Sequence, residues 1–153
     1  MFSTEHNGVK NYPNFAQPVE LVFELPESWP TTNTDLAQPR YGWPLEWLRL
    51  IGRDTMRRQL QVTQGETYST QNADDLLGPE VPMSAIILLR ERREFRAFKR
   101  TDGVNVSFLS LFPIFREELE LKKKGGFREL ILAFQKTRIA LSFDLHRQNT
   151  AIF

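Results

Sequence analysis

His6 and His146 are the chain's two imidazoles, and neither stands at an H-x-x-x-H or H-E-x-x-H spacing that would aim two ring nitrogens at one metal ion. Both fall in terminal stretches of weak pattern, where histidine ordinarily serves on the surface or at a cap. Cysteine is absent, which removes thiolate nucleophiles, disulfides, iron–sulfur clusters and sulfur-ligated zinc together. No G-x-S-x-G turn presents a serine nucleophile, and neither glycine-rich phosphate cradle, G-x-G-x-x-G or G-x-x-x-x-G-K-[ST], occurs. The neighbouring carboxylates Asp74 and Asp75 have the charge to hold a divalent cation, but the other oxygen ligands of a calcium loop are not spaced around them. A solvated loop is the plainer reading. An enzyme would have to be built around Asp144 and His146. The expectation is therefore a protein with no catalytic residues, no metal ligands and no cofactor.

Charge is concentrated once, in Arg90-Glu-Arg-Arg-Glu-Phe-Arg-Ala-Phe-Lys-Arg100. Cations interleaved with Phe95 and Phe98 would suit a module that tracks a phosphate backbone and stacks its rings on bases. Glu91 and Glu94 break the run, and alternation along a strand sends its cations to both sides rather than into one groove. A solvated hairpin whose charges discourage edge-to-edge pairing needs less. Twenty Lys+Arg against nineteen Asp+Glu give a net charge of +1, without the basic excess of a dedicated nucleic-acid binder. Arg92, Arg93 and Arg96 are the candidate partner-binding residues of this stretch. Trp29, Trp43 and Trp47 are candidate aromatic anchors, at least two of which are expected in the core.

The elements that would position these groups follow from hydropathy. With 153 residues, 41% of them hydrophobic, the chain is long enough for one domain whose core needs no staple. Its longest aliphatic run, Ala85–Leu89, is far short of the ~20 residues of a membrane span. Met1–Glu5 has neither the basic start nor the apolar stretch of a secretory signal, so a cytoplasmic location is expected. Val19–Leu25 alternates as a half-buried strand that Pro26 ends. Pro26, Pro30, Pro39 and Pro44 mark an irregular connection, and Pro44 suits the first turn of a helix running to about Arg58. Gly52 weakens that helix and leaves room for a break. Residues 61–82 carry no clear period. Ser84–Leu89 reads as a strand covered on both faces. Thr101-Asp-Gly103 supplies the turn of a hairpin joining roughly 93–100 to 104–112, and Pro113 is expected to stop its second strand. Phe115–Lys124 is acidic early and basic late, as a helix macrodipole prefers, and Gly125-Gly126 stops it. Phe127, Leu130, Ile131 and Phe134 form the stripe of a second amphipathic helix, and Arg138–Asp144 alternates as a late strand. The fold class is α+β: a mixed β-sheet with an antiparallel hairpin and helices packed against it.

The order of segments adds a resemblance. Val19-Glu-Leu-Val-Phe-Glu-Leu-Pro-Glu-Ser-Trp29 is followed by Trp43-Pro-Leu-Glu-Trp-Leu48, then by Val104-Asn-Val-Ser-Phe-Leu-Ser-Leu-Phe-Pro-Ile114, Glu117-Glu-Leu-Glu-Leu-Lys-Lys-Lys-Gly125 and the Phe127–Phe134 helix. This series resembles the suppressor of fused domain family over about residues 15–136. The resemblance implies a single domain over residues 1–153 that binds proteins and does no chemistry. Eukaryotic members of that family hold a transcription factor of the Hedgehog pathway inactive. Bacterial members resemble immunity proteins that bind and block a toxin domain, and the small size here is closer to the bacterial type. The family pattern places a longer segment before the first strand, so the chain is expected to be short at its N-terminus. Residues 90–100 also carry more charge than the pattern.

Overall fold

Ala85–Leu89 is apolar at every position because both of its faces are covered, and the architecture is built around it. A computed structural model describes residues 2–5, 18–58, 62–70, 72, 75–90 and 97–152. The strands are β1 (Phe2–Glu5), β2 (Val19–Val22), β3 (Thr67–Thr70), β4 (Ala85–Arg90), β5 (Ala97–Lys99) and β6 (Asn105–Ile114). They form one mixed sheet in the order β1-β3-β4-β6-β2, with β5 also paired to β6. Only β2 runs parallel to its neighbour, aligning Val19–Val22 with Ser107–Ser110. The helices are α1 (Asn33–Leu36), α2 (Pro39–Arg58), α3 (Arg116–Gly125) and α4 (Phe127–Lys136).

Alternation divides the sheet's side chains between two cores. Ile86, Leu88, Leu109 and Leu111 face Trp43, Trp47 and Ile51 of α2. Ala85, Ile87, Leu89, Phe112 and Ile114 face Leu119 of α3 and Leu130 and Phe134 of α4. The sheet is thus a middle layer between α2 and the α3–α4 pair. Each fully buried aliphatic side chain contributes about 1.5–3 kcal/mol, so most of the stability comes from these two interfaces.

The α+β class, the buried central strand, the hairpin turn and both C-terminal helices agree with the sequence reading. The hairpin's first strand is described only as Ala97–Lys99, with 93–96 outside the described residues. Strands β1 and β3 and helix α1 lie where no element was expected, and four further details differ. The alternation over Val19–Leu25 yields ladder pairing only for Val19–Val22. Helix α2 starts at Pro39 and runs unbroken through Gly52, with Pro44 inside it. Pro39 takes the first-turn position expected of Pro44, and Gly42 permits the tight α1–α2 junction, since a Cβ there would lie 2.2 Å from the Leu36 carbonyl oxygen. Strand β6 runs through Pro113 instead of stopping. Ile114 turns its carbonyl to β4, accepting from the Ser84 N–H at 3.2 Å, so Pro113 faces the other edge and its missing N–H removes no bond to β4.

The late strand is replaced by turns. Helix α4 closes with the Arg138 N–H donating to the Gln135 carbonyl at 3.1 Å and the Ile139 N–H to the Phe134 carbonyl at 3.0 Å, the double bond of a Schellman ending. Arg138 occupies the left-handed position at φ 53°. The chain then lies across the layers: Ile139 and Leu141 pack on the α3–α4 core and Phe143 on the α2 core. The alternation is real, but it serves two cores rather than a ladder.

Arg138→Gly should raise stability by about 0.5–1 kcal/mol, because glycine takes the left-handed position without its steric cost. Gly42→Ala should lower it by about 1–3 kcal/mol by driving a methyl group into the Leu36 carbonyl. Urea unfolding of both variants checks the two signs.

Candidate interaction surface

Among the described residues a carboxylate stands out for the number of groups that hold it. Glu118, in the first turn of α3, is wholly buried and accepts the Phe115 N–H at 3.0 Å, which satisfies a donor that the helix start leaves open. Arg147 reaches it from the C-terminal segment as a two-pronged partner, at 2.8 Å to Oε1 and 2.6 Å to Oε2. The Thr150 N–H and hydroxyl each donate to the same carboxylate at 2.9 Å. Arg147 also donates to the Pro113 carbonyl at 2.8 Å, along the stretch of β6 that β2 does not reach. The rings of Phe112, Phe115 and Phe134 surround its guanidinium at 5.0, 4.8 and 5.6 Å. This cluster clamps the chain end onto the β6–α3 corner, and its polar atoms are turned inward. It builds shape and presents nothing to a substrate.

The described surface that does present itself is the β5–β6 ribbon, which extends beyond β4. Its turn is made by Gly103 at φ 85° and by Asp102, whose carboxylate accepts the Val104 N–H at 3.1 Å and pairs with Arg100. The Arg100 side chain first, and the Val104 N–H second, hold the Asp102 carboxyl below its ordinary pKa. Phe98 is 46% exposed and packs beside Phe108, with ring centroids 5.7 Å apart. Lys99 and Arg100 follow Phe98 in the chain and are exposed, with Lys99 on the opposite face of β5 from the ring, and Arg90 is exposed at the end of β4. An aromatic pair and exposed cations are thereby carried on one hydrogen-bonded hairpin.

Arg92, Arg93 and Arg96 lie outside the described residues, between Arg90 and Ala97, as do Phe95, His6 and Asp74. Asp75 is exposed. Asp144 and His146 do come together, but through the His146 main-chain N–H donating to Asp144 Oδ1 at 2.8 Å, a turn closure with both side chains exposed. No group of three or more His, Asp or Glu side chains is placed to hold a metal ion among the described residues. Trp43 and Trp47 are each only 4% exposed, and Trp29 is partly buried against their core. Trp29 donates its indole N–H to the Tyr41 carbonyl at 3.1 Å, and Trp47 donates to the Leu77 carbonyl at 2.9 Å. The sequence reading missed the Glu118–Arg147 cluster. Its one sequence signal is a glutamate three residues after Phe115, the spacing of half a capping box, while nothing local points to Arg147.

These elements define a rigid α+β scaffold domain, and the comparisons with known proteins place it more closely. The family model described as suppressor of fused protein (SUFU) matches residues 2–148, and the chain belongs to that family. It is similar in fold to the crystal structure of Drosophila Suppressor of Fused, with a TM-score of 0.55 and 18% identity over 71% of this chain and 25% of that one. It is similar also to a chain of the Sufu–Fu complex crystal structure, with a TM-score of 0.62 and 16% identity over 93% of this chain and 62% of that one. It therefore spans a quarter of the first and less than two thirds of the second. A comparison with curated proteins gave no match. Among the described residues no helix is long and apolar enough to cross a membrane.

Arg147→Met should destabilise the fold by about 3–5 kcal/mol, since it leaves Glu118 buried without its counter-charge. The double variant Glu118→Leu/Arg147→Met should recover part of that loss, and a denaturant double-mutant cycle measures the coupling. In the ribbon, Asp102 should titrate below the ~3.9 of a free aspartate. A depressed folded-state pKa means that its contribution is present above the unfolded value and is lost as pH falls through the folded one. The Val104 amide resonance followed by NMR from pH 6 to 2 should move with that titration.

Proposed function

We propose that the chain is a non-catalytic protein-binding domain of the bacterial immunity type, which covers the working surface of a toxin domain in the cytoplasm. Residues 1–153 act as one domain. Arg92, Arg93 and Arg96 contribute to the contact, together with the Phe98–Phe108 pair. The observation that carries this reading is the ribbon itself. It combines exposed aromatic area, cationic side chains and a rigid hairpin, which are the ingredients of desolvated anchors at protein interfaces. Membership of the suppressor of fused family supports it, as does the fold likeness to a protein crystallised in a Sufu–Fu complex. The inward-facing Glu118–Arg147 cluster fits a protein that acts by shape. Because Arg90, Lys99 and Arg100 are exposed, they favour an acidic partner and a fast, salt-sensitive association.

The same cations and rings would serve single-stranded nucleic acid, and one experiment separates the two readings. The chain is co-expressed with the open reading frame that adjoins its gene, which this reading expects to be toxic on its own. Wild type should restore growth, and the variant Arg92→Ala/Arg93→Ala/Arg96→Ala should lose the protection while keeping its unfolding midpoint. No protection, together with tight oligonucleotide binding that falls steeply with salt, would replace the protein-binding reading by the nucleic-acid one.

A further inference from the structure

Two open grooves of similar volume lie on opposite sides of the sheet. The first, of about 710 Å3, runs between α2 and the Gly78–Val81 turn, with Leu45 and Leu76 in its walls. Its charged residues, Glu46 and Arg49, pair with each other at 2.6 Å and leave nothing for a partner to meet. The second, of about 690 Å3, follows the solvent side of α3 and α4. Its charges are arranged differently.

Glu117, Leu121 and Lys124 recur along one face of α3, and Glu129, Leu132 and Lys136 along one face of α4, and all six line this groove. The chain reverses at Gly125 and Gly126. Gly125 lies so near Glu129 that a Cβ there would come within 2.7 Å of the glutamate's Cγ. Lys124 and Glu129 therefore share the turn end of the groove, while Glu117 and Lys136 share the open end, beside Thr150 and Ala151. Leu121 and Leu132 lie between the two ends, and Leu132 is 46% exposed. Each end thus holds both signs, yet among the described residues none of these four charges is in an ion pair. Glu117 meets only the neutral amide of Asn149, at 2.7 Å. Arg116 and Glu120 add one more charge of each sign, so the groove as a whole is neutral.

A neutral groove with an unpaired charge of each sign at either end gives neither an acidic nor a basic partner an advantage. It is complementary to itself. In a two-fold dimer residue i of one copy meets residue j of the other, and j meets i. An axis along the groove lays α3 of one copy on α4 of the other, which sets Lys124 opposite Glu129 and Lys136 opposite Glu117. An axis across the groove exchanges its ends, which sets Lys124 opposite Glu117 and Lys136 opposite Glu129. Both bring the leucines of the two copies together at the centre, whereas a patch of one sign would repel its own copy in either setting.

We infer that the α3–α4 groove is a dimerisation face, covered by the same groove of a second copy of this chain. Each helix has ten residues and is about 15 Å long, so the face belongs with the small, transient interfaces and the dimer exchanges rapidly. The inference does not rest on the proposed function, and it concerns the other end of β6 from the ribbon.

The test is sedimentation equilibrium of the whole chain, with NMR, from about 10 μM to about 1 mM, the range in which weak association is read. The average mass should rise reversibly from that of one chain toward that of two, and the Leu132 methyl resonances should move with concentration more than those of Leu45 and Leu76. Leu132→Gln should raise the dissociation constant about fivefold at an unchanged unfolding midpoint. Lys124→Glu/Lys136→Glu and Glu117→Lys/Glu129→Lys each give the four unpaired charges one sign, and each chain alone should stay monomeric. Mixed in equal amounts the two should form a heterodimer at least as tight as the wild-type dimer, which chains that had merely lost their fold would not do. Arg92→Ala/Arg93→Ala/Arg96→Ala should leave dimerisation intact, so failure of the ribbon reading does not touch this one. A chain still monomeric at the highest concentration, as it would be if a different protein filled the groove, would overturn the inference. So would a dimer indifferent to Leu132→Gln, or a mixture of the two reversed chains that stays monomeric.

Discussion

Putting a carboxylate and a guanidinium out of reach of water costs several kcal/mol per ion before any attraction is counted. The Glu118–Arg147 pair offsets that cost only because every surrounding group cooperates: a helix start, a strand carbonyl, a threonine and three phenyl rings all converge on it. The pair therefore specifies one arrangement of β6, α3, α4 and the chain end, and a slipped register would strand a buried charge. Much else follows from that requirement. Pro113 is tolerated near the end of β6 because its missing N–H removes no bond to β4, which leaves its carbonyl on the open edge to accept from Arg147, and the chain after α4 crosses the layers to reach the corner where Glu118 lies.

A domain fixed from within in this way leaves its surface free to vary, and that suits a protein that works by presenting a shape. The ribbon and the α2 groove differ in kind. The ribbon projects aromatic and cationic groups on a backbone stiffened by its own turn. The groove recedes between aliphatic walls.

Much of the fold was legible in advance, for identifiable reasons. Ala85–Leu89 announced a central strand because both of its faces are apolar, and Thr101–Gly103 announced a hairpin because few residues accept a positive φ. The α3 and α4 helices showed through charge polarity and a clean apolar stripe. The errors cluster where a local rule met a tertiary need. Pro44 and Pro113 looked like boundaries because proline lacks an N–H, yet each sits inside an element where that N–H is not required or its loss is outweighed by packing. Arg138–Asp144 looked like a strand because alternation does not reveal whether the two sides are faces of a sheet or two separate cores. The ribbon's cations were visible in the sequence, but the exposure of Phe98 and its packing on the half-buried Phe108 were not, since exposure is a property of the assembled surface.

Composition and periodicity alone determined the class of the fold, the absence of thiol chemistry and the placing of the central strand, because each depends on residue type and short-range spacing. The meeting of Glu118 with Arg147, twenty-nine positions apart, was decided only in three dimensions. So were the cleft beside α2 and the choice of which aromatic rings meet water. A contact between distant residues leaves no mark in either one's local sequence, and only the folded chain can bring the two together.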